Sequence, residues 1–318
     1  MVDDKAMSTD AHILTDLVHA HLKEQRSGRR WKVFFRLLAV AYIGGMSFLM
    51  LKDVPSSDGS DEAKHVAVVD VKGEIASDSR QGASAERLIK GLTSAFEADN
   101  AVAVMIRINS PGGSPVQSAQ VYREIIRLKE LHPDRPVYAV AEDIAASGAY
   151  YIAAAADQIY ADSTSLVGSV GVIMGGFGFT EAMDKLGVER RVYTAGKHKA
   201  FMDPYSKEQP ETIAHANQIL ANTHRTFIAD VRKGRGDRIK GTDEDLFNGL
   251  IWTGSQAVEL GLVDGIGSVR ELAREKFDTD RIVSYSQSPN PLESLADRIS
   301  ASFASEMVSA VAGGLELR

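Results

Sequence analysis

The chain contains no cysteine. That excludes disulfides, a thiolate nucleophile and every cysteine-ligated zinc site. It leaves the compartment open, because an extracytoplasmic protein need not carry disulfides. An excess of positive charge is also missing: the formal net charge is −7 over 318 residues, which argues against a general nucleic-acid binder. The N-terminal apolar run, residues 37–51, falls short of the roughly 20 residues that span a bilayer unaided. Core material is not lacking. Apolar residues make up 44% of the chain and charged residues 25%, enough for one large domain or two modest ones.

Residues 1–30 are polar and end in the basic cluster Lys23, Arg26, Arg29 and Arg30. Within them, Ile13, Leu14, Leu17, Val18 and Leu22 have helical spacing and predict an amphipathic helix over 9–25. Val33, Phe34 and Phe35 lengthen the apolar run, and Arg36 and Lys52 can snorkel to the two interfaces, so residues 31–52 are expected to be a transmembrane anchor. A cleaved signal peptide fits less well, since no small-x-small site follows Leu51. Basic residues before the run and acidic ones after it (Asp53, Asp58, Asp61, Glu62) put the N-terminus in the cytoplasm and the bulk of the chain outside it. Residues 53–64 read as a flexible linker.

From Val66 the pattern changes. Strands are expected at 66–71, 101–108, 137–141, 158–161 and 188–194. Helices are expected at 85–98, 116–131, from Ser147 onward, and at 180–186, 210–235 and 255–260. Strands alternating with helices imply an α/β domain with mostly parallel pairing, here over 65–275. The tail, 276–318, carries a last amphipathic stretch with Leu292, Leu295, Ile299, Phe303, Met307 and Val311 on one face.

Chemistry concentrates in three segments. Ser147 stands between small residues at the start of an alanine-rich helix, followed by Gly148. A serine hydroxyl needs a base and preorganised donors for its oxyanion, and a helix N-terminus offers free N–H groups. Serine is equally common as a helix N-cap, and Ser-Gly alone does not separate the two roles. Asn109, Ser110, Pro111, Gly112 and Gly113 follow an apolar strand; paired glycines there let the backbone approach a ligand with its N–H groups free, or serve merely as a tight turn. That segment matches neither the Walker nor the dinucleotide phosphate-loop pattern. For the base, the histidines after the linker are His65, His132, His198, His215 and His224, and His198 is the one in a glycine-led loop. The same loop offers Lys197 and Lys199, either of which would serve as a base once desolvated.

Taken together, the motifs Asn109–Gly113, Ala146-Ser147-Gly148, Gly168-Ser169-Val170-Gly171, Gly196-Lys197-His198-Lys199 and Trp252-Thr253-Gly254, followed by Gly261-Leu262-Val263-Asp264, have an order and spacing that resemble the signal peptide peptidase A family of membrane-anchored bacterial serine peptidases, in its short, single-copy form. The resemblance runs over about residues 66–267. It implies a Clp-protease/crotonase-like fold of stacked ββα units and a Ser-Lys dyad that works without a cofactor or metal. Carried over by position, Ser147 becomes the nucleophile and Lys199 the general base. Ser169 orients the lysine, and Gly113 and Gly148 donate the oxyanion N–H groups. The family often has tyrosine where this chain has His198.

The resemblance further implies peptide substrates, signal-peptide remnants or unfolded segments, and a homo-oligomeric ring whose sites combine Ser147 of one subunit with Lys199 of the next. The anchor would place it as a single-pass protein in the bacterial inner membrane, in contact with lipid there, with its catalytic domain on the periplasmic side. Two competing readings are a membrane peptidase dedicated to one membrane protein and a crotonase-type acyl-thioester enzyme.

Overall fold

The computed structural model describes residues 34–42, 44–45, 63–77 and 82–287. The chain divides into two units, Met1–Asp61 and Glu62–Arg318. In the first, residues 34–42 and 44–45 are helical. No helix among the described residues is long and apolar enough to cross a membrane. The amphipathic segments expected at 9–25 and 292–311, and most of the 53–64 linker, lie outside the described residues.

The second unit is built on an eight-stranded sheet. Its long central strands are β1 (His65–Lys72), β2 (Ala101–Ser110) and β3 (Val137–Ala146), all parallel. They are rich in Val, Ile and Ala because both faces are covered, and most of their side chains are buried. Helix α1 (Ala85–Glu97) starts where the Ser84 hydroxyl accepts the Arg87 N–H, and it buries Leu88, Leu92 and Phe96. Fully burying a side chain such as Phe96 contributes roughly 1.5–3 kcal/mol. Helix α2 (Pro115–Leu131) is capped by Ser114 with proline in its first turn, where the missing N–H costs nothing. Together with the short α3 (Gly148–Ala153), these helices form one core with the sheet. On the opposite face Val66, Val68, Met105 and Val140 pack against Val269, Leu272 and Ala273, which belong to the helix Val269–Phe277.

The sheet forks at β3. Its first half pairs with β4 (Gln158–Ala161), and its end pairs with β5 (Leu166–Gly168). The fork coincides with a bulge: β2 advances from Ile108 to Ser110 while β3 advances from Ala141 to Ala145. A bulge bends its strand and re-aims the residues beyond it; the first residue beyond β3 is Ser147. Past the fork, β6 (Ile251–Thr253) joins β5 antiparallel, while β7 (Gly265–Ile266) joins β4. β8 (Ile282–Ser284) lies beside β1, so the sheet continues past the boundary expected at 275.

After β5 come helix α4 (Thr180–Leu186) and the long helix α5 (Pro210–Arg235). Between them the strand expected at 188–194 does not form. Val188, Val192 and Tyr193 are exposed and find no ladder partner among the described residues, and β-propensity without a partner makes no strand. Helix α5 is fastened at its C-terminal end by Arg235, whose fully buried side chain donates to Gly261 O at 2.8 and 3.1 Å and to the Asp264 carboxylate at 2.7 and 3.1 Å.

Candidate active site

Ser147 occupies the N-cap position of α3, yet its side chain makes no capping bond. Its backbone is at φ 53°, ψ −123°, a region that L-residues avoid. Such a residue costs on the order of 1–3 kcal/mol and persists where its surroundings over-determine it. Here the Ser147 N–H donates to Gly168 O at 2.8 Å, and Ser147 O accepts the Tyr151 N–H at 3.0 Å to open the helix. Four non-glycine residues have positive φ among the described residues, and Ser169 is another of them, at φ 51°. Its N–H donates to Leu250 O at 2.7 Å. The Gly168–Ser169 turn and the Ser147 turn thus hold each other.

The glycine loop closes over this turn. Gly113 sits at φ 146° and bridges to Ile75; a Cβ there would lie 2.2 Å from Ile75 O, so only glycine fits. A Cβ on Gly148 would lie 2.4 Å from Ser118 Oγ and 3.4 Å from Gly113 N. The two glycines are therefore neighbours. Neither N–H has an acceptor among the described residues. Two unpartnered N–H groups beside a serine whose hydroxyl is released from capping form an arrangement able to stabilise an oxyanion.

Ser147, Gly113 and Gly148 share the wall of a cavity of about 390 Å³. It lies between α2, which contributes Val116, Ala119 and Arg123, and α5, which contributes Asn222, Thr223, Thr226 and Phe227. Tyr151 of α3 is also on its lining. Burial, then a hydrogen bond to the Asp230 carboxylate, pushes the Tyr151 phenol well above its ordinary value, so it stays neutral and donates to Asp230. A second cavity of about 490 Å³ also reaches Ser147. It collects Gly113, Ser147, Ser169, His224 and Asn248.

Four of the five residues singled out from the sequence, Ser147, Ser169, Gly113 and Gly148, thus meet around these two cavities. Lys199 does not join them: it lines neither, and it is exposed. Its ammonium makes no hydrogen bond or ion pair among the described residues, whereas Lys197 is held by Glu211 at 2.7 Å. His198 lines a different cavity, with Lys197, Phe201 and Glu211. Among the residues that periodicity did not single out, His224 is the notable one. Its Nε2 is 3.1 Å from Val170 O, which ties α5 to the residue after Ser169. The helical pattern places it on the long helix but carries no sign of which way it faces. No group of three or more His, Cys, Asp or Glu among the described residues could hold a metal ion.

Comparison with known proteins agrees with these motifs. The model of peptidase family S49 matches residues 129–282, which take in Ser147, Ser169 and Lys199. A Brucella abortus protein named as the Na(+)/H(+) antiporter NhaA is 47% identical over 186 residues, 58% of this chain and 25% of that protein. An Enterococcus faecium protein named for signal peptide peptidase SppA is 37% identical over 193 residues, 59% of this chain and 55% of that one. The chain thus spans between a quarter and just over half of those relatives. A Synechocystis protein named as a protease, slr0021, is 32% identical over 236 residues, 72% of this chain and 81% of its own length. On this match and the family model, the chain belongs to peptidase family S49.

Proposed function

We propose that this chain is a serine endopeptidase in which Ser147 is the nucleophile, Lys199 of a neighbouring copy is the general base, and the Gly113 and Gly148 N–H groups stabilise the oxyanion. The observation that carries the reading is the strained Ser147 turn beside two N–H groups with no acceptor among the described residues. Neutral Lys199 takes the Ser147 proton as Oγ attacks the peptide carbonyl. The tetrahedral oxyanion forms against the two N–H groups. Collapse breaks the C–N bond, and the departing amine takes the proton from the ammonium. Water, deprotonated by the same lysine, then releases the acyl group and restores Ser147. Ser169 accepts a hydrogen bond from the lysine and orients it.

The exposure of Lys199 in the single chain supports a shared site. A lysine works as a base when it is desolvated, and in the single chain Lys199 is exposed. The segment around it displays apolar side chains that a second copy would cover: Ile173 is 92% exposed, Phe177 81% and Tyr193 90%. Covering them in a homo-oligomeric ring would bury Lys199 against the Ser147–Ser169 turns of the next copy. The fork at β3 fits stacked ββα units of the Clp-protease/crotonase kind. Residues 31–52 would anchor the ring in the bacterial inner membrane, N-terminus cytoplasmic and catalytic domain outside. An enclosed site of this kind admits extended, unfolded peptides, signal-peptide remnants among them.

Hydrolysis of a quenched peptide or an unfolded protein, by the parent and by Ser147→Ala and Lys199→Ala proteins of equal assembly, tests the reading. Turnover in the parent alone is expected. Full activity of Lys199→Ala would overturn the mechanism.

A further inference from the structure

The cavity on the α2–α5 side of Ser147 has one unusual member. Its lining is mostly apolar or neutral: Val116, Ala119, Tyr151, Val172 and Phe227, with Asn222, Thr223 and Thr226. Arg123 is the sole charged side chain on it. The guanidinium makes no ion pair and no hydrogen bond among the described residues. Its neighbours on α2 are already matched, since Glu124 and Arg127 pair with each other at 2.6 Å. Asp230, which accepts the Tyr151 hydroxyl, is not on the lining.

The helix fixes where that charge acts. Pro115, Ala119 and Arg123 are spaced i, i+4, i+8 and so form one stripe down α2. At ~1.5 Å per residue, Arg123 stands ~12 Å along the helix from Pro115, at the end of the cavity away from the Gly113 loop. Helical side chains lean toward the N-terminus, which on α2 is the end beside the Gly113 loop, and Arg123 shares the cavity wall with Ser147. A planar fork of donors at the end of an apolar channel matches a carboxylate in two-point geometry.

We infer that Arg123 is a specificity-determining residue: it recognises a carboxylate on the peptide segment that lies in the Ser147 cavity. The inference rests on the peptidase reading and gives its substrate a chemistry. The carboxylate has two sources, a glutamate or aspartate side chain next to the cleaved bond, or the free C-terminus of a short peptide.

The test uses the full chain and four peptides that differ at the residue preceding the bond (Glu, Gln, Leu or Lys), each as free acid and as C-terminal amide. Cleavage is compared within the parent, Arg123→Gln and Arg123→Glu proteins, and binding is read by anisotropy on Ser147→Ala. Arg123 is exposed, so the parent is expected to favour Glu over Gln by about fivefold in kcat/KM, the scale of a solvent-exposed charge pair. The ratio should fall to about one in Arg123→Gln and turn toward Lys in Arg123→Glu. A preference for free acid over amide, lost in the same variants, would assign the carboxylate to the C-terminus instead. A Glu/Gln ratio of one together with an acid/amide ratio of one in the parent overturns the inference and leaves the peptidase reading standing, as does a preference that survives Arg123→Gln. Arg123-dependent binding of acid with no cleavage by the parent does the reverse.

Discussion

Adding one methyl group to Gly148 separates the two jobs of the Ser147 turn, holding its shape and receiving an oxyanion. A Cβ at this position would lie 2.4 Å from Ser118 Oγ and 3.4 Å from Ser118 Cβ. The clash is thus with the hydroxyl alone. Ser118 is fully buried, and its hydroxyl donates to Ser114 O at 3.0 Å, so it cannot simply swing away. Overpacking of this kind costs about 1–3 kcal/mol in a tight core. Ser118→Ala alone removes one hydrogen bond worth about 0.5–1.5 kcal/mol. Its cost should fall at the low end, because Ser114 O keeps the Ser118 N–H at 3.1 Å. In the double variant the two Cβ atoms would be in ordinary contact at 3.4 Å. The double variant should therefore be more stable than Gly148→Ala, with a coupling of at least about 0.5 kcal/mol in urea denaturation. Peptidase activity should not return with the stability. The new methyl also lies 3.4 Å from Gly113 N and crowds the donor that an oxyanion would use. Activity should stay reduced, by up to the roughly 100- to 1,000-fold that loss of one oxyanion donor costs. Additive stabilities would refute the packing argument, and full activity in the double variant would refute the oxyanion assignment.

Arg235→Met should cost about 3–5 kcal/mol, because it leaves the half-buried Asp264 carboxylate and Gly261 O without their main donor; a urea midpoint near the parent's would contradict this. For Asp264, burial alone would raise the pKa, but the Arg235 hydrogen bond, the Ile159 N–H and the charges of Arg235 and Arg238 outweigh it and hold the carboxyl below its ordinary value. A depressed folded pKa means that the stabilisation is present above the unfolded value, near 3.9, and is lost as pH falls below it. The loss of stability below about pH 4 should be shallower in Asp264→Asn. His198→Gln should retain most activity, since the proposed mechanism takes the Ser147 proton on Lys199; a loss as deep as that of Lys199→Ala would make the histidine the base.

Runs of Val, Ile and Ala mark the three central strands, and helical periodicity marks α1, α2, α4 and α5; their ends fall within a few residues of expectation. The same pattern predicts a strand at 188–194 that does not form, because alternation of Val188, Val192 and Tyr193 says nothing about whether a partner strand exists. The extension of β3 through Glu142 and Asp143 is hidden in the sequence, since charged residues interrupt the apolar run, although Asp143 is held there by Asn109 Nδ2 at 2.7 Å. Strands β5 to β8 are two or three residues long, too short for periodicity to register. At the site, the glycines and serines are visible as motifs because their backbone conformations restrict what can stand there. Phe227, Thr226 and Arg123 are not, since a residue on a helix face carries no mark of which cavity that face will line.

The most direct test mixes two inactive proteins. Ser147→Ala and Lys199→Ala chains are purified, dissociated, recombined in equal amounts and checked for mixed assemblies by native mass spectrometry, and peptide hydrolysis is then measured. If the site joins Ser147 of one copy to Lys199 of the next, random assembly restores about one quarter of parental activity, the chance that a neighbouring pair brings one intact residue each. If mixed assemblies form and activity stays at the level of either variant alone, the dyad is not shared between copies and the account of Lys199 fails.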